Sequence, residues 1–357
     1  MNTPATTDDH THAPPGGPRG FLGELRDALS LRGLLLVTGA LLLQLAFVLS
    51  YVGAFHSPAP HGIPVAVVAP DGASERIVDQ LNALDGDPVE ARPAGSEAAA
   101  RALILDRTVD AAVLVDPRGT TDTLLVASAG GPAVSTTAAR LAEDIEASRG
   151  RKITTEDILP PAEGDGRGMS SFYLVIGWMV GGYLAAAILG VAGGARPANL
   201  HRTAIRLGVL AAYAVVSGLG GAIIADPVLG ALEGHFVQLW ALGALTVFAA
   251  AATTVALQIL LGIVGIGVAI LVFVVLGNPS AGGVYPAALL PPFWRAIGDC
   301  IPTGAATTAV RNTVYFSANA ITGPLWTLAG YAVGGVLVAL LASVLHLRRG
   351  ASAGTEA

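Results

Sequence analysis

The sequence predicts an α-helical polytopic membrane protein with six transmembrane helices. A small α/β extracytoplasmic domain is expected between the first helix and the second. Three observations carry that prediction. Of 357 residues, 53% are hydrophobic and only 13% are charged, about half the charge of a soluble globular chain. Six apolar stretches of roughly bilayer-crossing length, none charged at its centre, recur along the chain. One long region, 56–168, breaks that pattern with short strand-like and helix-like runs in alternation. Aromatic residues make up just 6%, so the mean hydropathy of +0.62 comes from Ala, Leu, Val, Ile and 45 glycines. Small residues of that kind let helices approach closely in lipid, which supplies no hydrophobic drive between them.

The elements follow in order. Residues 1–20, "MNTPATTDDHTHAPPGGPRG", are polar and rich in Pro and Gly, and read as a disordered tail. In "FLGELRDALSLRG" (21–33), Phe21, Leu25 and Leu29 recur at helical spacing with charges elsewhere. That suits an amphipathic helix at the membrane surface leading into the first span, or an ordinary polar flank. The uncharged run 33–55 is long enough to cross a bilayer. A cleaved signal peptide is the competing reading, but its apolar core would be about 7–15 residues, which favours a retained anchor. Within 56–168, "IPVAVV", "PVEARPA", "DAAVLVDP" and "TDTLLVASAGG" read as strands. "SERIVDQLNAL", "SEAAARALILDRTV" and "AVSTTAARLAEDIEASRG" read as helices, which implies a mixed sheet. The rest, 169–347, is a five-helix membrane domain with spans near 169–193, 204–225, 236–256, 258–277 and 324–347. A tight turn near Gln258 is expected between the fourth and fifth of the six spans. A short tail, 348–357, closes the chain.

Orientation follows from basic residues in the short loops, which accumulate on the cytoplasmic side. With a cytoplasmic N-terminus, the inside segments hold Arg19, Arg26, Arg32, Arg196, Arg202, Arg206, Arg348 and Arg349. The short outside loops hold only Arg295 and Arg311. The expected placement is therefore a multi-pass protein of the cell membrane with both termini cytoplasmic and the α/β domain outside.

Composition and motifs exclude several classes. A net charge of −6 is mild and points to no nucleic-acid partner. The only cysteine, Cys300, rules out an internal disulfide and a cysteine-based zinc site. No phosphate-binding G-x-x-x-x-G-K-[ST] occurs, and the single lysine, Lys152, stands in "SRGRKITTED". No G-x-S-x-G or H-E-x-x-H occurs either. The expectation is a protein that is not an enzyme, with no catalytic residue, metal or cofactor. No predicted span carries a charge at its centre, as an ion-coupled transporter would usually show. Small-xxx-small pairs occur at Gly177 and Gly181, Gly190 and Gly194, and Gly330 and Gly334. They favour helix packing within the chain over a dimer seam.

The stretch 278–323 stands out. It begins "NPSAGGVYP", continues through "PPFW" and "IPTG", and carries Phe293, Trp294, Tyr315 and Phe316. Apolar turns broken by Pro and Gly suit helices that dip into the outer leaflet and return. The alternative is an interfacial loop with aromatic anchors. Pro279 lacks an amide hydrogen and disfavours helix at Asn278, which predicts that the fifth span ends near there. Gly282 and Gly283 permit positive φ and close approach. Tyr285 is expected at the headgroup level, and Pro286 restrains the next segment.

These residues resemble the C-terminal signature of type-2 ABC exporter permeases, in the phage-infection-protein (YhgE/Pip) branch. The matching positions are Ser280, Gly282, Gly283, Tyr285, Pro286, Leu289, Leu290, Pro291, Phe293, Trp294, Pro302, Thr303 and Arg311. "IPTGAA" stands where that family often has an aromatic, and the α/β domain is far shorter than the long insert of many members. The resemblance implies a permease subunit, a homodimer or heterodimer in the lipid bilayer, driven by a separate cytoplasmic ATPase. It places ATPase contacts at 21–32 and in the loop 194–206, with Arg196, Arg202 and Arg206. Positive-inside topology alone also accounts for those arginines. Asn278, Pro279, Ser280, Gly282, Gly283, Tyr285, Pro286, Pro302 and Arg311 are then the candidates for an outer gate or hinge. Low charge within the bundle points to hydrophobic cargo. Two rival readings stand beside this one. One is a surface or secretion-accessory protein that binds a partner through the outer domain, and the other is an efflux protein that needs no ATPase.

Overall fold

The computed structural model describes residues 30–70, 72–195 and 199–353. The expected tail 1–20, the expected surface helix up to residue 29, Arg196 and residues 354–357 lie outside them. The first helix, α1, runs Leu31–Phe55, and the chain divides within it, at Leu45. In its first part Leu34, Leu35, Val37, Leu41 and Leu42 are all exposed. No charged side chain interrupts α1 beyond Arg32, so this apolar surface is one that lipid covers.

After α1 comes a five-stranded mixed sheet, β1 (Ile63–Val68), β2 (Val89–Pro93), β3 (Ala111–Leu114), β4 (Thr121–Val126) and β5 (Lys152–Asp157). The strand order is β2-β1-β3-β4-β5, parallel except where β3 meets β4. Helices α2 (Ser74–Asn82), α3 (Glu97–Leu105) and α4 (Pro132–Ser148) supply the connections. Local chemistry explains the helix starts. Ser96 accepts a hydrogen bond from the Ala99 amide at 3.1 Å and caps α3, while Pro132 opens α4 where no amide hydrogen is needed. Asn82 bonds both the amide and the carbonyl of Ala91, which fastens the end of α2 to edge strand β2.

The sheet's two faces have different covers. Ile63, Val65, Val67, Ala111, Leu124 and Val126 pack under α2 and α4. Ala66, Ala112, Leu125 and Ala127 pack under α3, and Phe316 joins that second core. Phe316 follows the sheet's last strand by 159 positions, counting from Asp157. The α/β domain is therefore completed by a side chain from the membrane part.

Besides α1, four helices are long and apolar enough to cross a bilayer: α5 (Ser170–Gly193), α6 (Leu200–Val228), α7 (Phe236–Leu261) and α11 (Thr322–Ala353). With α1 these make five among the described residues, and the chain is a polytopic membrane protein. The central element is α7, with 61% of its most apolar window buried against 6–39% for the others. It packs on α5, α6 and α11. Glycines close those crossings. A Cβ at Gly182 would meet the Val247 carbonyl and Ala250, one at Gly243 would meet Trp178, and one at Gly335 would meet Ala252 and Thr253. The expected small-residue pairs serve less: Gly177, Gly330 and Gly334 have open space beside them.

Two sequence expectations need correction here. The turn after α7 falls at Gly262, whose φ of +64° suits glycine, and not near Gln258. Gln258 lies inside α7, fully buried, and donates to the Ala186 carbonyl at 3.2 Å. The next helix, α8, is then only Val264–Ser280, 17 residues and shorter than a usual span. Its second half widens into a π turn over Leu271–Leu276.

Candidate functional site

α8 ends at Ser280, near the expected break, although Pro279 lies inside its last turn. Helix continues through Asn278 and Pro279 to Ser280. The preceding π turn changes the backbone pairing register, and such bulges are where a helix takes in a residue that does not fit its regular ladder. The Ser280 hydroxyl also donates to the Leu276 carbonyl at 2.7 Å, filling a bond in the last turn. Asn278 Nδ2 donates to the Tyr51 hydroxyl at 2.9 Å, which ties α8 to α1.

Past Ser280 the two glycines divide the tasks expected of them. Gly282 has φ of +69°, in open space with only the Pro286 Cα at 4.0 Å. Gly283 lacks a positive φ but lies flat on Phe172, so that any Cβ there would overlap the ring. Tyr285, expected at headgroup level, makes protein contacts. It packs into the α/β core and stands 5.7 Å from the Phe55 ring. The Pro286 ring fills the place beside Gly131, and the Ala288 carbonyl accepts from the His61 amide at 2.8 Å. The "NPSAGGVYP" segment is thus held between the start of α5 and the entry to β1.

Two short helices follow, α9 (Pro292–Gly298) and α10 (Pro302–Tyr315). Trp294 Nε1 donates to Ser50 at 3.1 Å, with its ring over Gly53. Pro302 opens α10, and Thr303 donates to the Phe273 carbonyl at 3.1 Å. Most of α10 is buried, and Ala305, Ala306, Ala309 and Val310 belong to the main bundle core with Phe273. This segment is packed inside protein and not spread along a surface.

At the far end of α10, Arg311 is 5% exposed and donates from Nη2 to the Gly282 carbonyl at 3.0 Å. Its Nε has no partner. Burial, reinforced by Arg107, lowers the guanidinium to about 10, against pulls from Asp165, Tyr315 and Asp110, so it stays charged at neutral pH. Gly282 and Arg311, 29 positions apart, are therefore joined directly. Across a cavity of about 350 Å³, Arg311 faces Arg107, Asp110, Arg295 and Asp299. Three arginines against two aspartates leave that space net positive. Arg107 pairs with Asp110 at 3.3 Å and lies 4.6 Å over the Phe316 ring. Burial raises Asp110, against the pull of Arg107 and Arg311.

A second cluster adjoins. The Tyr315 hydroxyl donates to Asp165 Oδ2 at 2.8 Å, and Asp165 Oδ1 accepts from the Ser170 amide at 2.8 Å, at the start of α5. Burial and the Asp165 carboxylate push the Tyr315 phenol up. Asn319 donates to the Leu105 carbonyl and to Asp106, both at 3.1 Å. Around Asn319, Ser317, Ala318 and Ala320 all carry positive φ, a cost for residues with a Cβ that such contacts must offset. Sequence reasoning missed Arg107, Asp110 and Asp165, and placed Tyr315 and Phe316 in a segment dipping into the outer leaflet, with interfacial anchors as the alternative. They instead lock α10 to the α/β domain.

The arginines of the expected ATPase-contact loop separate. Arg196 lies outside the described residues. Arg202 is exposed, with its amide capped by Asn199 Oδ1 at 2.9 Å. Arg206 turns back on its own chain and donates to the Gly194 carbonyl at 2.8 Å. Among the described residues, no three of His, Cys, Asp and Glu come together as a metal site would require. Comparison with family models, curated proteins and solved structures returned no match.

Proposed function

We propose that this chain is the membrane permease subunit of an exporter, working as a dimer with a separate cytoplasmic ATPase. The α/β domain lies outside the cell and both termini inside. One observation supports this most: the segment from α8 to α10 enters the bundle core without forming a full span, and its charged end meets the α/β domain. Irregular backbone persists at membrane depth only where protein or a water-filled cavity covers it. An element so placed can change how open the outer end of the bundle is when the α/β domain moves. The stretch 278–311 is the gate, Gly282 is its hinge, and Arg311 fastens the hinge in the arrangement described. Cargo would be a hydrophobic or amphiphilic molecule, since no charge interrupts the centres of the spans.

The test is purification from native membranes in mild detergent, with mass spectrometry of whatever stays bound. A co-purifying ATPase, lost with Arg202→Ala and retained with a control substitution elsewhere, is the expected result. If no ATPase associates with the purified protein, the exporter reading loses its energy source. The partner-binding reading through the α/β domain then takes its place.

A further inference from the structure

The α/β domain contains a cavity of its own, remote from Arg311. Between the sheet and helices α2 and α4 lies a space of about 190 Å³, walled by Val65, Leu81, Val113, Leu124, Leu141 and Ile145. Aliphatic walls of this kind give water nothing to bond, so such a space stays dry or takes an apolar guest. Its rim is of another chemistry, formed by Asp122, Glu146, Arg149 and Arg151. Those four do not play equal parts.

Arg151 is fully engaged. Its Nε and Nη2 hold the two oxygens of Asp122 at 2.8 and 2.6 Å, and its Nη1 and Nη2 also bond the carbonyls of Gly119 and Asp116. Asp122 and Arg151 therefore cancel. Glu146 is only 6% exposed, and its Oε2 accepts no hydrogen bond, with Arg151 Nε at 3.7 Å. Burial, and then the Asp122 charge, push its carboxyl up, towards the protonated form. Arg149 donates to Glu146 Oε1 at 3.3 Å and to Gln80 at 3.2 Å, and its side chain stays about one-third exposed. The rim thus offers one partly exposed cation, Arg149, and one buried carboxyl oxygen that no donor satisfies, directly above an apolar space. A pocket that is mostly apolar, with a few convergent polar groups at one end, is the usual form of a small-ligand site.

We propose that this cavity binds the single alkyl chain of an amphiphile with an anionic head. The chain lies between the sheet and α4, and the head sits at Arg149 and Glu146. A free fatty carboxylate and a single-chain lipid phosphate share this chemistry. The site does not depend on the exporter reading, since it lies wholly inside the α/β domain.

The experiment uses the full chain in lipid nanodiscs and decanoic acid carrying a terminal diazirine as the probe. After irradiation and digestion, label is expected in peptides spanning 74–84 and 138–153, as well as on the lipid-facing helices. Unlabelled decanoate should displace label from the α/β peptides at about tenfold lower concentration than 1-decanol, reflecting one charge-assisted contact. Decyl phosphate competing more strongly than decanoate would assign the phosphate source, and the reverse order the carboxylate. Ala142→Phe, which fills the cavity, should remove label from those peptides and leave the helices labelled. Arg149→Gln, at a partly exposed position, should keep the label but erase the advantage of decanoate. Absence of label in both peptides, or label that persists in Ala142→Phe, overturns the proposal. If Ala142→Phe fails to fold, Arg149→Gln decides: an unchanged preference for decanoate removes the assigned head site.

Discussion

Replacing Gly282 and Gly283 separately by alanine tests the hinge, because the two positions should fail for different reasons. At Gly282 a methyl group meets nothing nearer than 4.0 Å, so the cost is backbone strain alone. Holding an L-residue at φ of +69° costs about 1–2 kcal/mol. At Gly283 the backbone is unstrained, but the methyl group would overlap the ring of Phe172, which is 6% exposed at the start of α5. Overpacking of that kind costs about 1–3 kcal/mol. In a chain this long, each kcal/mol lowers the melting temperature by about 2 °C or less. Thermal unfolding of the purified protein should therefore show drops of a few degrees for both variants, against no drop for Gly323→Ala, where the added methyl meets nothing. Two further variants separate the mechanisms. Gly282→Asn should be milder than Gly282→Ala, since asparagine tolerates positive φ. Phe172→Leu should offset part of the loss from Gly283→Ala while leaving Gly282→Ala unchanged. If both alanine variants melt like Gly323→Ala, or if Phe172→Leu relieves neither, the close-packed hinge is wrong.

Three more tests address other contacts. Asn278→Ala removes the 2.9 Å bond to Tyr51 and should cost about 1 kcal/mol, read in the same melts. Cys300 is exposed and is the only thiol in the chain, so a membrane-impermeant maleimide should label it in intact cells. Labelling seen only in inside-out vesicles would invert the proposed orientation. Glu146→Gln should change how stability depends on pH. Glu146 is raised above its ordinary 4.5, so its contribution is fully present below that value and is lost as pH rises through the folded-state value. Burial also raises Asp122, but Arg151 outweighs it and holds that carboxyl low, so its contribution is lost only as pH falls below 3.8. Melting between pH 4 and 7 should show a decline in the wild type that Glu146→Gln flattens, and an equal slope in both would refute the assignment.

Elements with a strong apolar period were legible, and those without one were not. β1, β3 and β4 lie in a sheet covered on both faces, and their near-continuous runs of Val, Leu and Ala announce them. β5, "KITTED", is almost wholly exposed at a sheet edge, with no apolar alternation to mark it. The four long spans of the membrane domain followed from length and hydropathy. The boundary at Gly262 did not, because "LLGIVGIG" is as apolar across the turn as on either side of it. Hydropathy measures preference for lipid and carries no mark of backbone direction; only the positive φ of Gly262 locates the turn. Pro279 did mark the end of α8, which stops one residue later at Ser280.

The charged site was the least legible part, and the cause is sequence separation. Arg107 meets Phe316, Asp165 meets Tyr315, and Leu105 meets Asn319, all pairs 150 or more positions apart. Local periodicity tells which side of a helix is apolar, but not which distant residue it will face. In "TVDAAVLV", Asp110 looks like a turn residue before a strand. Its place beside Arg107 and across the cavity from Arg311 appears only once α10 has been brought against the α/β domain. Arg311 was marked by a motif, yet the motif carried no partner for it. Its partner is a backbone carbonyl, that of Gly282, which no side-chain pattern could have named. A carbonyl in that role makes a specific demand on the chain. The peptide must turn its oxygen towards α10, and the αL conformation at Gly282 is what turns it. The same geometry therefore explains the positive φ and the buried arginine, and loss of either should release the other.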